Sequence, residues 1–300
     1  MKAVYSACCL IDNKIDNPFD RKINGVFTPN SIGRLVHRAV GRNSGSISVF
    51  RKKDNEVKER SITLRLTSQN KAEVKQNGWA TNENVEAIFI PVKDMLANAP
   101  GFRSLFSQKK LSYEEIYLDI IDKSFVPIAR GKLSPEREKL LNILNEAMSG
   151  RVIEKNETFY LKNKTGELEF PLLAEGFRKL GLLYRLIQNE SLTHGSMLFW
   201  DEPEANLNPQ LSQTVVKILL ELSKMGVQVF ISTHDYILLK EFQLAVTEQD
   251  NVIYHVLYRN NNGDIEHSST KDLDELSPNA IDRTYARILD DEIQIGLTRL

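Results

Sequence analysis

Two apolar runs in the second half of the chain end in residues that could do chemistry. Met197 to Trp200 is short and continuously apolar, and it stops abruptly at two adjacent carboxylates, Asp201 and Glu202. Such a run reads as a strand covered on both faces, whose C-terminal end is where α/β proteins place ligands. Carboxylates delivered there could reach a nucleotide's phosphates. Asp201 would bind Mg2+ through water, because that ion takes few carboxylates and keeps much of its hydration shell. Glu202 could polarise an attacking water as general base. Val227 to Ile231 reads as a second buried strand that leaves His234 at the same sheet edge. The chemistry predicted is that of an ATPase.

The segments between these runs supply the punctuation that positioning requires. Pro203 stops the first strand, and Asn208-Pro209 opens a helix with a side-chain cap and a proline at the first helical position. Gly226 ends that helix just before the second strand.

These residues resemble the heads of ABC-type ATPases. Asp201-Glu202-Pro203 looks like the Walker B motif with its catalytic glutamate, Ala205 to Asn208 like the D-loop, and His234 like the switch histidine. The order and spacing are those of the ATP-binding AAA proteins grouped with RecF, SMC and OLD-type heads, many of which act in bacterial DNA repair and phage defence. Leu173-Ala-Glu-Gly-Phe-Arg-Lys179 stands where such heads carry a serine-and-glycine signature, ahead of an apolar helix through Leu182, Leu183, Leu186 and Ile187. Ala174 occupies the usual serine position and offers no hydroxyl.

The resemblance implies an α/β fold, an ABC-ATPase-like P-loop NTPase head with a mixed sheet, an antiparallel β subdomain and a helical lobe. It implies ATP and Mg2+ as cofactors, Asp201 as the metal residue, and Glu202 and His234 as catalytic. Glu175, Gly176, Arg178, Lys179, Asn206 and Asn208 are then nucleotide-contacting residues. It further implies a homodimer closing through the nucleotide sites and a separate effector protein, a nuclease or toxin, with nucleic acid a further candidate. Taken from the residues alone, Arg178 and Lys179 also fit the solvated face of a helix.

One element of such heads is absent from the sequence. The run G-x-x-x-x-G-K-[ST], whose amides and lysine grip phosphates, occurs nowhere in these 300 residues; the single Gly-Lys pair, Gly131-Lys132, precedes Leu133. Met1 to Leu10 nevertheless reads as the helix that follows a P-loop. The expectation is that the chain starts inside the domain, its first strand lost to truncation or a misplaced start, or else that it is a degenerate, non-hydrolysing interaction module.

The global numbers narrow the class. With 300 residues and 41% hydrophobic content the chain can bury a large core, and a net charge of −1 offers no overall attraction to nucleic acid. Cys8 and Cys9 are adjacent and poorly placed to bridge each other, which suits a reducing compartment. There is no signal-peptide pattern and no apolar run approaching a membrane span, so no membrane association and a cytoplasmic location are expected. His37, His194, His255 and His267 lack metal-ligand spacing.

Along the chain three parts are expected: 1–91 and 151–300 as the two portions of the head, and 92–150 as the helical lobe. Residues 44–90 read as antiparallel strands, Ser46 to Arg51, Ser61 to Thr67 across an Asp54-Asn55 turn, and Val85 to Ile90. Residues 92–149 read as helical, with capping signals at Ser112 to Glu115 and at Ser134-Pro135-Glu136, and are too few for a long coiled-coil arm. Strands at 151–155, 158–162 and 167–170 precede the signature helix, and beyond His234 come a helix to about Leu244, a strand from Val252 to Arg259 and a last helix from about Asn279 to Gln294. The basic cluster of Arg51, Lys52, Lys53, Lys58 and Arg60 reads as hairpin decoration or a nucleic-acid contact. Trp79, Phe102 and Phe106 read as packing residues.

Overall fold

A computed structural model describes residues 1–11, 18–37, 40–52, 58–81, 85–108, 112–128 and 131–298. The first half runs α1 (Lys2–Cys8), α2 (Phe19–Phe27), β1 (Ser44–Arg51), β2 (Arg60–Thr67), β3 (Ala72–Asn77), β4 (Ala87–Ile90), α3 (Phe102–Ser107), α4 (Glu115–Ser124) and α5 (Pro135–Met148). The second half runs β5 (Arg151–Lys155), β6 (Thr158–Asn163), β7 (Gly166–Glu169), α6 (Glu175–Gln188), β8 (Met197–Asp201), α7 (Ser212–Lys224), β9 (Gln228–Ser232), α8 (Tyr236–Ala245), β10 (Tyr254–Arg259), β11 (Ile265–Thr270) and α9 (Ala280–Thr298). The expected Asp54-Asn55 turn and Lys53 lie outside the described residues.

The central layer is a parallel sheet in the order β4-β8-β9, with Phe89, Phe199 and Phe230 in register across it. This corrects the expectation that the strand ending at Ile90 belongs with the antiparallel strands. All four residues of β4 are buried, and a strand without a polar face needs cover on both sides, which a central parallel position provides. Antiparallel pairing is confined to the other sheets, β1-β2-β3, β5-β6-β7 and β10-β11. β3 and β11 were not expected. The sequence Ala-Glu-Val-Lys-Gln-Asn of β3 is exposed throughout and carries no apolar rhythm, and β11 is nearly as polar.

Alternate residues of the central strands feed two cores. Ile88, Ile90, Leu198 and Trp200 face α4, α5, α6 and α7, whereas Ala87, Phe89, Met197 and Phe199 face α1, α2 and the β1-β2-β3 sheet. On the second face Phe199 stacks on Phe230 at 4.7 Å, and Tyr5 of α1 sets its ring edge-on to Phe89 and Phe199 at 5.4 and 5.8 Å. Trp79 is buried there and donates its indole N–H to the Ala7 carbonyl at 2.8 Å, so it packs as expected. Phe102 is buried in the first core and Phe106 packs against it.

Tyr5, Lys22, Glu115 and Asp119 form an ionic knot between α1, α2 and α4, with Lys22 Nζ 2.6 Å from Glu115 and 2.7 Å from Asp119. Behind the site, α6 is buried along most of its length, and Arg185 ties it to α4 through a 2.9 Å hydrogen bond to the Ser124 carbonyl. The expected cap at Ser134 is present, its side chain accepting from the Arg137 amide at 3.3 Å; the one at Ser112 is not, because α4 starts later, with Glu114 at its N-cap and no side-chain bond. At the far end α9 is exposed beyond Ile281 and is joined to α8 by a stack of Tyr285 on Tyr236 at 3.7 Å. No helix of the described residues is long and apolar enough to cross a membrane.

Candidate active site

The geometry of the site starts from the pairing of β8 with β9. Asp201 and Ser232 are the last pair of that ladder, the Ser232 hydroxyl donates to the Asp201 carboxylate, and the Glu202 amide donates to the Ser232 carbonyl at 2.9 Å. The two strand ends are therefore stitched together one residue beyond the sheet. Unlike the expected buried strand, β9 is half-buried, because it pairs with β8 on one side and among the described residues has no strand on the other.

Glu202 leaves the strand with φ +46°, a left-handed conformation that costs a side-chain-bearing residue about 1–2 kcal/mol. That turn sends its carboxylate toward His234, whose Nδ1 lies 3.3 Å away. The imidazole is 75% exposed and the Glu202 side chain 34%, so the pair opens to solvent. Below it, Glu204 accepts from the Thr233 hydroxyl at 2.6 Å and from the His234 amide at 3.4 Å, while its other oxygen is buried without a hydrogen-bond partner. Asp235 caps α8 by accepting from the Leu238 amide at 2.7 Å. Glu204, Thr233 and Ser232 thus hold the two ends in place, roles that sequence reasoning missed. The repeat of acid at Glu202 and Glu204 was the available signal.

Oxygen ligands of the kind Mg2+ prefers are present in the Asp201 carboxylate and the Ser232 hydroxyl. Among the described residues no group of three or more His, Cys, Asp or Glu could hold a metal ion by itself. This donor set fits an ion that takes one or two carboxylates and completes its shell with water and phosphate. Met1, at the N-cap of α1, lies within Coulombic reach of Asp201.

The other predicted residues fall into two groups. Glu175 and Gly176, at the start of α6, meet the loop after β8: Glu175 accepts from the Asn206 side-chain amide at 2.8 Å and from the Asp94 amide at 3.3 Å. Gly176 packs so closely that an added Cβ would lie 3.0 Å from the Asn206 carbonyl and 3.3 Å from Leu207 Cα. Asn206 is exposed with φ +59°, a conformation asparagine tolerates. Asn208 is a helix cap, accepting from the Gln210 amide at 3.0 Å, although the turn it caps is 3-10 before α7 begins.

Neither Arg178 nor Lys179 lies on a solvated face of α6. Arg178 turns to the fully buried Asp94 carboxylate, with Nε 3.3 Å from Oδ2. Burial pushes the Asp94 pKa up, against the pull of Arg178. Lys179 is 1% exposed and reaches under the loop after β8. Lys179 is internal and Arg178 half-buried because the α6 face they occupy packs against the loops that follow β4 and β8. Gly226, at φ +86°, closes α7 as expected and its carbonyl accepts from the Gly195 amide at 2.9 Å, which aligns the starts of β8 and β9. His255 and His267 touch each other at 2.9 Å on the β10-β11 hairpin.

Several known proteins are similar to this chain in sequence or fold. A curated protein of Methanosarcina acetivorans described as "Putative ABC transporter ATP-binding protein" is 28% identical over 162 residues, which cover 53% of this chain and 53% of that protein. The chain thus spans about half the length of the curated relative it matches. The crystal structure of an SMC head bound to the C-terminal winged-helix domain of ScpA superposes over 89% of this chain and 84% of that one, with a TM-score of 0.54 at 13% identity. The SMC head domain from Thermotoga maritima aligns over 76% and 74%, with a TM-score of 0.42 and 13% identity. At 13% identity the SMC head bound to ScpA shows a likeness of fold alone, and the fold is that of an ABC/AAA-type ATPase head. A family profile matches residues 49–240, which include β8, β9 and the loops at their ends. The chain therefore belongs to the family described as "AAA domain, putative AbiEii toxin, Type IV TA system".

Proposed function

We propose that the protein is an ATP-hydrolysing head that dimerises around Mg-ATP and controls a separate effector, a nuclease or toxin, in DNA repair or phage defence. The observation that carries this reading is the meeting of Asp201, Glu202 and His234 at two stitched strand ends, with Glu202 and His234 3.3 Å apart in an otherwise unfavourable backbone turn. Strained conformations persist where the surroundings hold them, and they cluster at functional sites. Family membership implies nucleotide binding.

In this reading Asp201 holds the hydrated ion, which would neutralise developing phosphate charge. Glu202 takes a proton from water as its oxygen attacks the terminal phosphorus and ADP leaves. His234 contacts the transferred phosphoryl group from the second strand end. Glu175, Gly176 and Asn206 form the face offered to the nucleotide of a second copy. Residues 1–91 and 151–300 are then the two portions of the head, and 92–150 its helical lobe.

The test is Glu202→Gln in the intact protein: ATP turnover falls by about 10²–10⁴-fold, the range for loss of a general base, while ATP is retained and the dimer accumulates. Unchanged turnover removes Glu202 as the base.

A second reading, an interaction module that does not hydrolyse ATP, has its own support. Residues 1–300 contain no G-x-x-x-x-G-K-[ST], and Lys179 faces inward. The coding sequence upstream of Met1 separates the two: an in-frame P-loop there favours the first reading, and none favours the second.

A further inference from the structure

Among the described residues Lys179 is a buried cation held by carbonyl oxygens alone. Its Nζ donates to the Ala205 carbonyl at 2.6 Å and to the Glu202 carbonyl at 3.2 Å, and among the described residues no carboxylate lies within 4.0 Å of it. Burial lowers its pKa, opposed by the more distant Glu175, Glu204, Asp94 and Glu202. Taking an ammonium out of water is costly even when it is hydrogen-bonded, and an apolar side chain of similar length would fill the same space at less cost. The position thus bears an expense that packing does not explain.

What the ammonium holds is the loop between the candidate base and the face offered to a second copy. That loop closes on itself through the Ala205 amide to the Glu202 carbonyl at 3.1 Å and the Leu207 amide to the Glu204 carbonyl at 2.9 Å. It contains the left-handed Glu202 and Asn206. With the Glu202 carbonyl drawn inward to Lys179, the peptide after Glu202 is fixed and its side chain is left facing His234. Glu175 and Gly176 lie four and three positions earlier on the same face of α6, and they touch Asn206 and Leu207 of the same loop. One helix face therefore grips the loop at both ends.

We propose that Lys179 is a positioning residue that anchors the Glu202–Ala205 turn to α6, so that displacement of α6 moves the candidate base. The coupling to catalysis depends on the ATPase reading above; the anchoring does not. The test uses Lys179→Met, which keeps the stem and removes the donors, and Lys179→Gln, which keeps a donating group on a shorter stem. Amide exchange of Ala205 and Leu207 rises by about tenfold or more in Lys179→Met and by less in Lys179→Gln, while α7 stays protected. In the intact protein kcat for ATP falls by about tenfold or more in Lys179→Met, with nucleotide Kd changed by less than about twofold.

Unchanged exchange across 202–207 overturns the anchor. So does an equal rise in α7, which marks general destabilisation. If Lys179→Met does not fold, the same comparison in Lys179→Gln decides. A wild-type protein that does not hydrolyse ATP defeats the ATPase reading, and with it the catalytic coupling, while the exchange result still decides the anchor.

Discussion

Replacing Gly176 by alanine sets two known effects against each other, and the structure decides the sign. Alanine is preferred to glycine within a helix by up to about 1 kcal/mol, so on propensity alone the variant gains stability. Here the new Cβ would lie 3.0 Å from the Asn206 carbonyl oxygen, 3.2 Å from Leu207 Cδ1 and 3.3 Å from Leu207 Cα. Two of these atoms belong to backbone that Lys179 and Glu175 already tether, so the loop gives way poorly. Overpacking of this kind costs about 1–3 kcal/mol, and the net expectation is a loss of about 1 kcal/mol. Gly296 in α9 is the matched control, since a Cβ there meets nothing within 4 Å. Urea unfolding of the two variants should move their midpoints in opposite directions, down for Gly176→Ala and up for Gly296→Ala. A stabilised Gly176→Ala protein would mean that α6 does not press on this loop, and both the α6–loop junction and the positioning role of Lys179 would lose their basis.

Two further outcomes can be checked on the 300-residue chain. Burial pushes the thiols of Cys8 and Cys9 up to about 12, from 9.0; at pH 8 the folded protein should therefore alkylate on the order of a thousandfold more slowly than the urea-unfolded chain. The raised values also mean that the stability these thiols contribute is complete below about pH 9 and declines as pH climbs toward about 12, so an equally fast reaction, or a loss of stability confined to acid, would contradict the packing of α1. Calorimetry with Mg-ATP should give weak or no binding to this chain, because Asp201, Glu202 and His234 act on a bound nucleotide and do not replace a phosphate cradle; micromolar affinity would show that the cradle lies within these residues.

The sequence was most informative where apolar continuity and turn chemistry agreed. Met197 to Trp200 announced a central strand because nothing polar interrupts it, and Pro203, Asn208 and Gly226 mark turns whose geometry needs those residues. Composition did not separate a parallel from an antiparallel partner for β4, since an apolar run bounded by proline suits either; the partner is set by which faces the helices cover. β3 and β11 were illegible because they are exposed and polar, and their pairing is specified by the strand alongside. The inward course of Lys179 was hidden for a related reason. A lysine on a helix says nothing of whether a loop 23 to 26 residues on will close over it.

The sharing of β4 and β8 between the two cores bears on how the molecule comes apart. Ile88 and Phe89 are neighbours in one strand yet belong to opposite interiors, as do Leu198 and Phe199. Melting either interior strips one face from both strands, and a parallel strand with an exposed apolar face has little to keep it in register. The central sheet and the helices on its two sides should therefore unfold in one concerted transition. Heat would then empty the population of competent sites in step with the folded fraction, with no intermediate that keeps one core and a working strand end.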